Sequence, residues 1–202
     1  MHPETKLAEM LTTRLCHDLT GPIGAVNNGV EFLSEDGFDM QNEAMQLIFN
    51  SAHEAIHRLQ FYRRAYGRAG DVGEASLAEQ RKIVTDFFSN SKIKVDWPDQ
   101  HTDASGVSIS QKMSRLILNL ILIASSAALR GGMLSVRISQ SATQEKQIDI
   151  RVEADLIKLD SETSAILAGG PDAEIGLTPK TAQPFLAVIL AEELHAKVTF
   201  AV

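Results

Sequence analysis

One histidine lies on the polar side of the first helix that the sequence predicts. At about 100° per residue, the apolar stripe of this helix centres near Leu15, Pro22 and Val26, and His17 points roughly 160° away from that centre. A neutral imidazole is a competent nucleophile near pH 7. The pattern therefore predicts an exposed, potentially nucleophilic side chain at position 17.

Residues that destabilise a helix surround this histidine. Pro22 removes the amide that would bond the carbonyl of Asp18, so we expect a kink beyond the histidine and a free carbonyl. Gly21 and Gly24 each cost about 1 kcal/mol relative to alanine inside a helix. Because such residues cluster around one exposed side chain, we interpret His17 as a reactive functional residue rather than as an ordinary surface histidine.

A second pattern has the spacing of a zinc-protease signature. His53, Glu54 and His57 fit H-E-x-x-H, with two histidines one helical turn apart and a glutamate base. The third ligand would have to be an acidic residue from elsewhere, such as Glu74 or Glu79. The pair also lies off the apolar stripe of its helix, whereas a catalytic zinc site requires a walled cleft. Zinc proteolysis therefore remains a remote alternative.

We do not expect the single cysteine to form a reactive dyad with its neighbouring histidine. Side chains that are adjacent in a helix diverge by about 100°, so we expect Cys16 to be a small buried thiol beside His17. One cysteine excludes an intramolecular disulfide, and the first ten residues lack the basic and apolar runs of a signal peptide. We therefore expect a cytoplasmic protein.

Two long helices must position these groups. Apolar residues recur at steps of three or four over residues 4–34 and again over 40–66, with a break at 34–37. Each helix of this hairpin has one apolar stripe, and two such helices cannot enclose a core alone. We expect the hairpin to pair with a second copy in a dimeric four-helix bundle, rather than to pack on the rest of the chain.

The second half of the chain has a different pattern. A glycine-rich linker is predicted at 67–75, and residues 1–68 and 76–202 are predicted to form separate domains. The second domain is predicted to be α+β, with helices on one face of a mixed sheet. Helices are expected at 77–89, 110–129, 160–167 and 179–195, and strands at 92–97, 133–139, 147–153 and 197–202, with a glycine-rich loop at 168–178.

Composition excludes several classes of protein. The chain has 202 residues, of which 44% are hydrophobic and 22% are charged, as expected for a folded protein. A net charge of −7 argues against nucleic acid as a direct partner. The longest apolar stretch, residues 116–129, is shorter than the roughly 20 residues that span a bilayer and contains Asn119, so no membrane association is expected.

The first helix resembles the phosphoacceptor helix of histidine kinases, whose pattern is His, an acidic residue, an apolar residue, two further positions and Pro. The longer string is similar to the ChpT-type histidine phosphotransferases of alphaproteobacterial phosphorelays, as is the late segment 183–185. The matching residues of the first helix are His17, Asp18, Leu19, Pro22, Gly24, Ala25, Asn27, Asn28, Gly29 and Glu31.

This resemblance implies a fold and a reaction. The fold is a dimerised helical hairpin, forming a four-helix bundle, followed by a degenerate Bergerat-type α/β sandwich that is similar to a histidine-kinase ATPase domain but does not bind ATP. The reaction is a shuttle, in which His17 takes a phosphoryl group from the receiver domain of a hybrid histidine kinase and passes it to response regulators. The Mg²⁺ would lie in the receiver, so the protein would need no cofactor of its own.

Further residues take roles from the resemblance. Asp18 would orient the imidazole or hold the proton on its other nitrogen. A receiver domain would dock beside His17, against Arg14, Leu15, Thr20, Gly21 and Gly24. A second group is either a solvated face or a contact for an acidic receiver; it comprises Arg58, Arg63, Arg64 and Arg68.

Two departures limit the activities that we expect. Kinases that also dephosphorylate their partners carry Thr or Asn just before the proline, and Gly21 stands there, so little phosphatase activity is expected. The asparagine-rich helix and the Asp-x-Gly-x-Gly loop of an ATP site are both incomplete, so Asn119 is interpreted as a core amide. A dimeric adaptor that binds regulators without carrying phosphate remains the alternative.

Overall fold

A long helical hairpin opens the structure. The computed structural model describes residues 3–34, 41–67, 73–98, 109–140, 145–170 and 175–201. Helix α1 spans Pro3–Ser34, and helix α2 spans Gln41–Tyr66. Both predicted helices are confirmed, and α1 runs through Pro22 as one helix.

The second half combines four helices with five short or medium strands in the described residues, which confirms the α+β class. The chain order is β1 (Glu74–Ala75), α3 (Leu77–Phe88), β2 (Ile93–Asp96), β3 (Ile109–Ser110), α4 (Gln111–Ala127), β4 (Gly132–Gln140), β5 (Lys146–Glu153), α5 (Ser161–Gly169) and α6 (Ala182–Glu193).

The larger sheet is mixed, as the sequence predicts. Its order is β2-β4-β5, with β2 parallel to β4 and β4 antiparallel to β5. Leu134 of β4 faces Val95 on one side and Val152 on the other in this register. The strands β1 and β3 form a separate antiparallel pair, so part of the predicted linker is a strand.

One predicted strand does not form, and one predicted helix ends early. Residues 197–201 form no strand, because their alternating pattern reflects packing without a ladder: Val198 packs on the α4–α6 cluster and Phe200 is exposed. Helix α4 ends at Ala127, two residues before the predicted end at residue 129. Gly131, at φ +91°, lets the chain pass close to Lys92, where a Cβ would lie 2.4 Å from the Lys92 carbonyl oxygen.

Side-chain caps define the starts of three helices. Ser76, Ser110 and Asp160 each accept a hydrogen bond from the backbone amide three residues later, which satisfies one of the unpaired amides of the first turn. The polar residues before α3, α4 and α5 therefore fix where these helices begin.

One apolar core joins the end of the hairpin to the second half. Ile117 and Leu134 lie at its centre and are fully buried, and Phe61 and Tyr62 of α2 belong to the same cluster. Trp97 and Phe88 are buried in the same cluster, and Phe87 is partly buried against it. The last turns of α2 are thus part of the second half's interior.

Polar contacts reinforce this junction. The Asn119 side chain is fully buried and its Nδ2 donates to the carbonyl oxygens of Ala65 and Arg115 at 3.0 and 2.8 Å, which confirms the predicted core amide. Arg64 on α2 pairs with Glu79 on α3 at 2.9 Å. Among the described residues, no helix combines the length and the apolar character that crossing a membrane requires.

Candidate functional site

The imidazole of His17 lies on the outer surface of α1. Its side chain is 87% exposed, which confirms the orientation predicted from the helical pattern. The ring Nδ1 lies 3.3 Å from Oδ1 of Asp18, so these two side chains are in contact although they are adjacent in the helix. When Nδ1 carries the proton and donates to this carboxylate, Nε2 keeps its lone pair and is the nucleophilic atom of the ring.

The carboxylate of Asp18 connects α1 to α2. Its Oδ2 accepts a hydrogen bond of 2.5 Å from the hydroxyl of Tyr62, and the Nε of Arg14 lies 4.0 Å from the same oxygen. The Asp18 side chain is only 23% exposed, in contrast to the ring that it faces. Asp18 is therefore a half-buried group held between an exposed histidine and a buried tyrosine.

Two stacked tyrosines lie beneath this carboxylate. The rings of Tyr62 and Tyr66 stack at a centroid distance of 5.2 Å. Burial, the hydrogen bond to Asp18 and its negative charge raise the pKa of Tyr62 far above its usual value. Burial raises the pKa of Tyr66 to about 12. Tyr62 therefore remains a hydrogen-bond donor at every physiological pH.

The backbone carbonyl of Asp18 has a partner that the sequence does not reveal. Pro22 removes its helical donor, and Nη1 of Arg58 supplies a hydrogen bond of 3.0 Å instead. Glu54 holds the guanidinium in place through Nε and Nη2, at 3.0 and 2.7 Å. The expectation of a free carbonyl is wrong. The Arg58 guanidinium is half-buried and engaged within the chain, so it does not lie on a solvated face, and its contact with a receiver domain stays a prediction.

A hollow of about 330 Å³ opens between the two helices at this point. It brings the exposed histidine, the proline and the Arg58–Glu54 pair together on one surface. The lining residues are His17, Asp18, Gly21, Pro22, Ala25, Ser51, Glu54 and Arg58.

The predicted docking residues divide into two groups. Thr20, Gly21 and Gly24 are exposed next to His17, and the Thr20 hydroxyl donates to the Cys16 carbonyl at 2.8 Å. A Cβ atom built on either glycine would meet no atom within 4 Å. The other two are half-buried: Leu15 packs against the main core, and Arg14 lies near the Asp18 carboxylate. Packing within the chain therefore does not require glycine at position 21 or 24.

Two other predictions about the hairpin have different outcomes. Cys16 is exposed, so the expectation of a buried thiol is wrong. The residue lies one and two heptads before the exposed Ile23 and Val30, on a side of α1 that its own chain leaves uncovered. Arg63 is exposed as a solvated face requires, and Arg68 lies outside the described residues.

The H-E-x-x-H residues do not form a three-ligand group. Glu54 binds Arg58, and the His53 and His57 rings lie 5.8 Å apart at 87°. Of the acidic candidates for a third ligand, Glu79 pairs with Arg64. Within the described part of the chain, no three His, Cys, Asp or Glu side chains are grouped closely enough to hold a metal ion.

Three residues of the site escape sequence analysis. Tyr62 fits the apolar pattern of α2, Glu54 fits the zinc signature, and Arg58 fits a run of basic residues. Arg58 and Tyr62 acquire their contacts with α1 only through the register of the hairpin, and Glu54 acts through Arg58. The one local signal is the carbonyl that Pro22 leaves without a donor, because a half-buried carbonyl requires one.

Comparison with known proteins gives a consistent result. The family model described as "Histidine phosphotransferase C-terminal domain" matches residues 77–202. The chain is 34% identical over 194 residues to "Protein phosphotransferase ChpT" of Brucella abortus (strain 2308), a match that covers 96% of this chain and 88% of that protein. A solved structure titled "1.7 Angstrom Structure of a Bacterial Phosphotransferase" is similar with a TM-score of 0.83 and 31% identity, over 100% of this chain and 93% of the other.

Proposed function

Because this chain belongs to the ChpT-type histidine phosphotransferases, we propose that His17 carries a phosphoryl group between aspartates of receiver domains in a two-component phosphorelay. The donor is the receiver domain of a hybrid histidine kinase, and the acceptors are response regulators. The observation that carries the proposal is an 87% exposed imidazole whose Nδ1 faces a carboxylate held from the opposite helix. This arrangement supports nucleophilic attack by Nε2 on a group that another protein presents.

The transfer step balances without a further reactant. The Nε2 lone pair forms the N–P bond while the bond between phosphorus and the aspartyl oxygen breaks, and that electron pair returns to the donor carboxylate. The imidazole ring becomes cationic. Its Nδ1–H donates a hydrogen bond to the Asp18 carboxylate, which stabilises this positive charge. In the second step the acceptor's aspartate oxygen forms the P–O bond, and the electrons of the N–P bond return to Nε2.

The receiver domain supplies the electrostatic part of the reaction. Phosphoryl transfer depends on positioning and on neutralising charge, and Mg²⁺ held in the acidic pocket of the receiver would neutralise the charge on the phosphoryl oxygens. The phosphoryl group comes from an aspartyl phosphate and not from ATP. The incomplete nucleotide motifs and the use of the Asn119 amide for packing support this part of the proposal.

The surface around His17 supports docking of a receiver domain. Glycine costs about 1 kcal/mol in a helix relative to alanine, yet a Cβ at Gly21 or Gly24 would be tolerated within this chain. The absence of these side chains is thus explained by close approach of a partner. Thr20, Gly21 and Gly24 form the centre of this docking surface, with Arg14 and Leu15 at its edge.

The hairpin also supports a homodimer. Its exposed apolar residues on α2 follow heptad spacing and, with Ala52 between them, form a continuous row: Met45, Phe49, Ile56 and Leu59. Ile23 and Val30 of α1 are exposed in the same way, at 56% and 53%. A second hairpin that covers these residues would complete a cytoplasmic four-helix bundle.

A transfer assay tests the proposal. Receiver domains from the same genome, phosphorylated with labelled phosphate, are mixed with the wild-type chain, with His17→Ala and with His53→Ala, which removes another exposed histidine as a matched control. Label is expected on the wild type and on His53→Ala, and none on His17→Ala. Binding of the receiver without transfer of label to the wild type would support the adaptor instead.

The same assay tests for phosphatase activity. Gly21 stands where a water-orienting residue would be required. His17→Ala is therefore expected to leave the decay of a phosphorylated receiver at the receiver's own rate. Faster release of phosphate would contradict this expectation.

A further inference from the structure

We propose that Tyr62 is a positioning residue, whose hydroxyl holds the Asp18 carboxylate against Nδ1 of His17, and that the second half of the protein keeps Tyr62 in place. The inference rests on the proposed function of His17. It assigns the second half a task in the transfer reaction that requires no nucleotide.

The two oxygens of Asp18 face different partners. Oδ1 lies 3.3 Å from Nδ1 of His17, and Oδ2 accepts the 2.5 Å hydrogen bond of Tyr62. Arg14, one turn earlier on the same helix, lies 4.0 Å from Oδ2 and is the competing partner. Without the Tyr62 hydroxyl, the carboxylate would turn toward Arg14 and lose its alignment with the ring.

Aromatic packing fixes the position of this hydroxyl. The Tyr62 residue is only 3% exposed. Its ring stacks on Tyr66 at 19° and meets the edge of Phe87 at 5.8 Å and 82°. Phe87 belongs to α3 and also contacts Phe61 at 4.3 Å. A helix of the second half therefore forms one wall of the site that holds Tyr62.

The alignment of Asp18 selects the reactive form of the imidazole. The neutral ring carries its proton on either nitrogen, and the hydrogen bond made by one nitrogen decides which form prevails. A carboxylate beside Nδ1 favours the Nδ1–H form, which leaves Nε2 free to attack. The groups that surround this carboxylate are His17 and Arg14 from α1 and Tyr62 and Tyr66 from α2.

The chain offers a matched pair of variants. Tyr62→Phe removes the hydroxyl that reaches Asp18 and keeps the ring in its stack. Tyr66→Phe removes a neighbouring buried hydroxyl that has no hydrogen-bond partner among the described residues. Both variants keep the aromatic contacts, so their difference isolates the hydrogen bond to Asp18.

The experiment reads the tautomer and the rate on the full-length protein. The ¹⁵N chemical shifts of the His17 ring, assigned by comparison with His17→Ala, are recorded at a pH where the ring is neutral. The wild type and Tyr66→Phe are expected to favour the Nδ1–H form. Tyr62→Phe is expected to shift toward the Nε2–H form and to accept label from a phosphorylated receiver roughly tenfold more slowly, as for loss of a hydrogen bond to a charged group.

The outcomes separate this inference from the proposed function. If Tyr62→Phe keeps the tautomer and rate of the wild type, or if both variants change equally, the positioning inference is overturned. If the wild type accepts no label while Tyr62→Phe still shifts the tautomer, the proposed function fails and the positioning of Asp18 stands. Should Tyr62→Phe not fold, the exchange of the Tyr62 hydroxyl proton with water is measured in the wild type. Slow exchange would support its hydrogen bond to Asp18, and rapid exchange would overturn the inference.

Discussion

Helices α1 and α4 are both rich in apolar residues, yet they bury very different parts of their length. Nine of the 17 residues of α4 are buried, whereas among residues 4–34 of α1, whose burial the structure describes, only Pro22 and Gly29 are buried. The chain itself covers α4 with strands and with α6. It leaves one side of α1 and α2 uncovered. The chain thus covers the core of the second half itself, with the end of α2 as part of it, whereas it leaves surfaces of the hairpin uncovered, where we propose that a second copy and a receiver domain bind.

The largest effect is expected for a truncation in the second half. Leu134→Ala removes a fully buried side chain at the centre of the sheet and leaves a cavity, so the free energy of unfolding should fall by about 2–5 kcal/mol. Leu156→Ala, at a residue 41% exposed, should change it by less than about 0.5 kcal/mol. Denaturant titration measures both, and equal losses would contradict a core that the chain completes without a partner.

A charge on the uncovered side of the hairpin tests the opposite property. Phe49→Asp is expected to weaken the proposed dimer by roughly 100-fold or more, because burying an unpaired carboxylate costs several kcal/mol. The monomer should keep its circular dichroism spectrum, since Phe49 is 58% exposed in a single chain. Sedimentation velocity gives the oligomeric state.

Leu156→Asp is the control for this experiment. It places the same charge on an exposed apolar residue of the second half and should leave the oligomeric state unchanged. Dissociation by both variants, or by neither, would contradict a dimer formed through the hairpin.

Three glycines of α1 distinguish the surfaces within the hairpin. Gly21→Ala and Gly24→Ala should each raise the free energy of unfolding by up to about 1 kcal/mol while weakening binding of a receiver domain. Gly29→Ala should lower it, because the new Cβ would lie 2.6 Å from Cγ1 of Ile48 and 3.2 Å from the Ala44 carbonyl oxygen. Thermal unfolding and receiver titration report the two quantities, and a loss of stability at position 21 would show that its glycine serves the fold.

The smallest effect concerns the cap of α5. Asp160→Ala should cost about 1 kcal/mol at neutral pH. Burial tends to raise the pKa of Asp160, but hydrogen bonds from Thr163 and the charge of Lys180 outweigh it and leave the pKa below its usual value. The stabilisation is therefore complete above the unfolded pKa and is lost as the pH falls through the lower folded pKa.

Two variants check the origin of this acid dependence. Asp160→Asn should keep the cap and lose the dependence on pH. If the dependence on pH persists in that variant, it belongs to another titratable group.

His17→Ala should leave the free energy of unfolding unchanged, because the ring is almost entirely exposed.

The sequence predicts the elements whose patterns are long and regular. The helices α1, α2 and α4 and the hairpin of β4 and β5 follow from their periodicity, since burial on one face imposes that period. The final segment, residues 197–201, shows where periodicity alone gives a wrong prediction. Val198 alternates with exposed residues as in a strand, but packing on α4 and α6 produces the same pattern without any ladder.

The site was predictable where it is local in sequence. His17 and Pro22 follow from the face and the geometry of one helix, and the role of Asp18 follows from the family resemblance. The contacts of Arg58 and Tyr62 with Asp18 join residues 40 and 44 positions apart, and they depend on how far one helix slides along the other. The periodicity of apolar residues does not show how far the two helices are displaced along each other. Exposed Cys16 was missed for a related reason, because a lone helical pattern does not show which of its apolar sides stays uncovered.

The shared core at the end of α2 determines how this protein can be divided. A fragment that stops near residue 68 would carry Phe61, Tyr62 and Ala65 into water, although all three are buried in the whole chain. The aromatic contact that Phe87 provides would be missing, and the Tyr62 hydroxyl would no longer be held at the Asp18 carboxylate. An excised hairpin would thus retain its histidine and lose the contacts that position the Asp18 carboxylate beside it, so the two halves have to stay joined for the site to be complete.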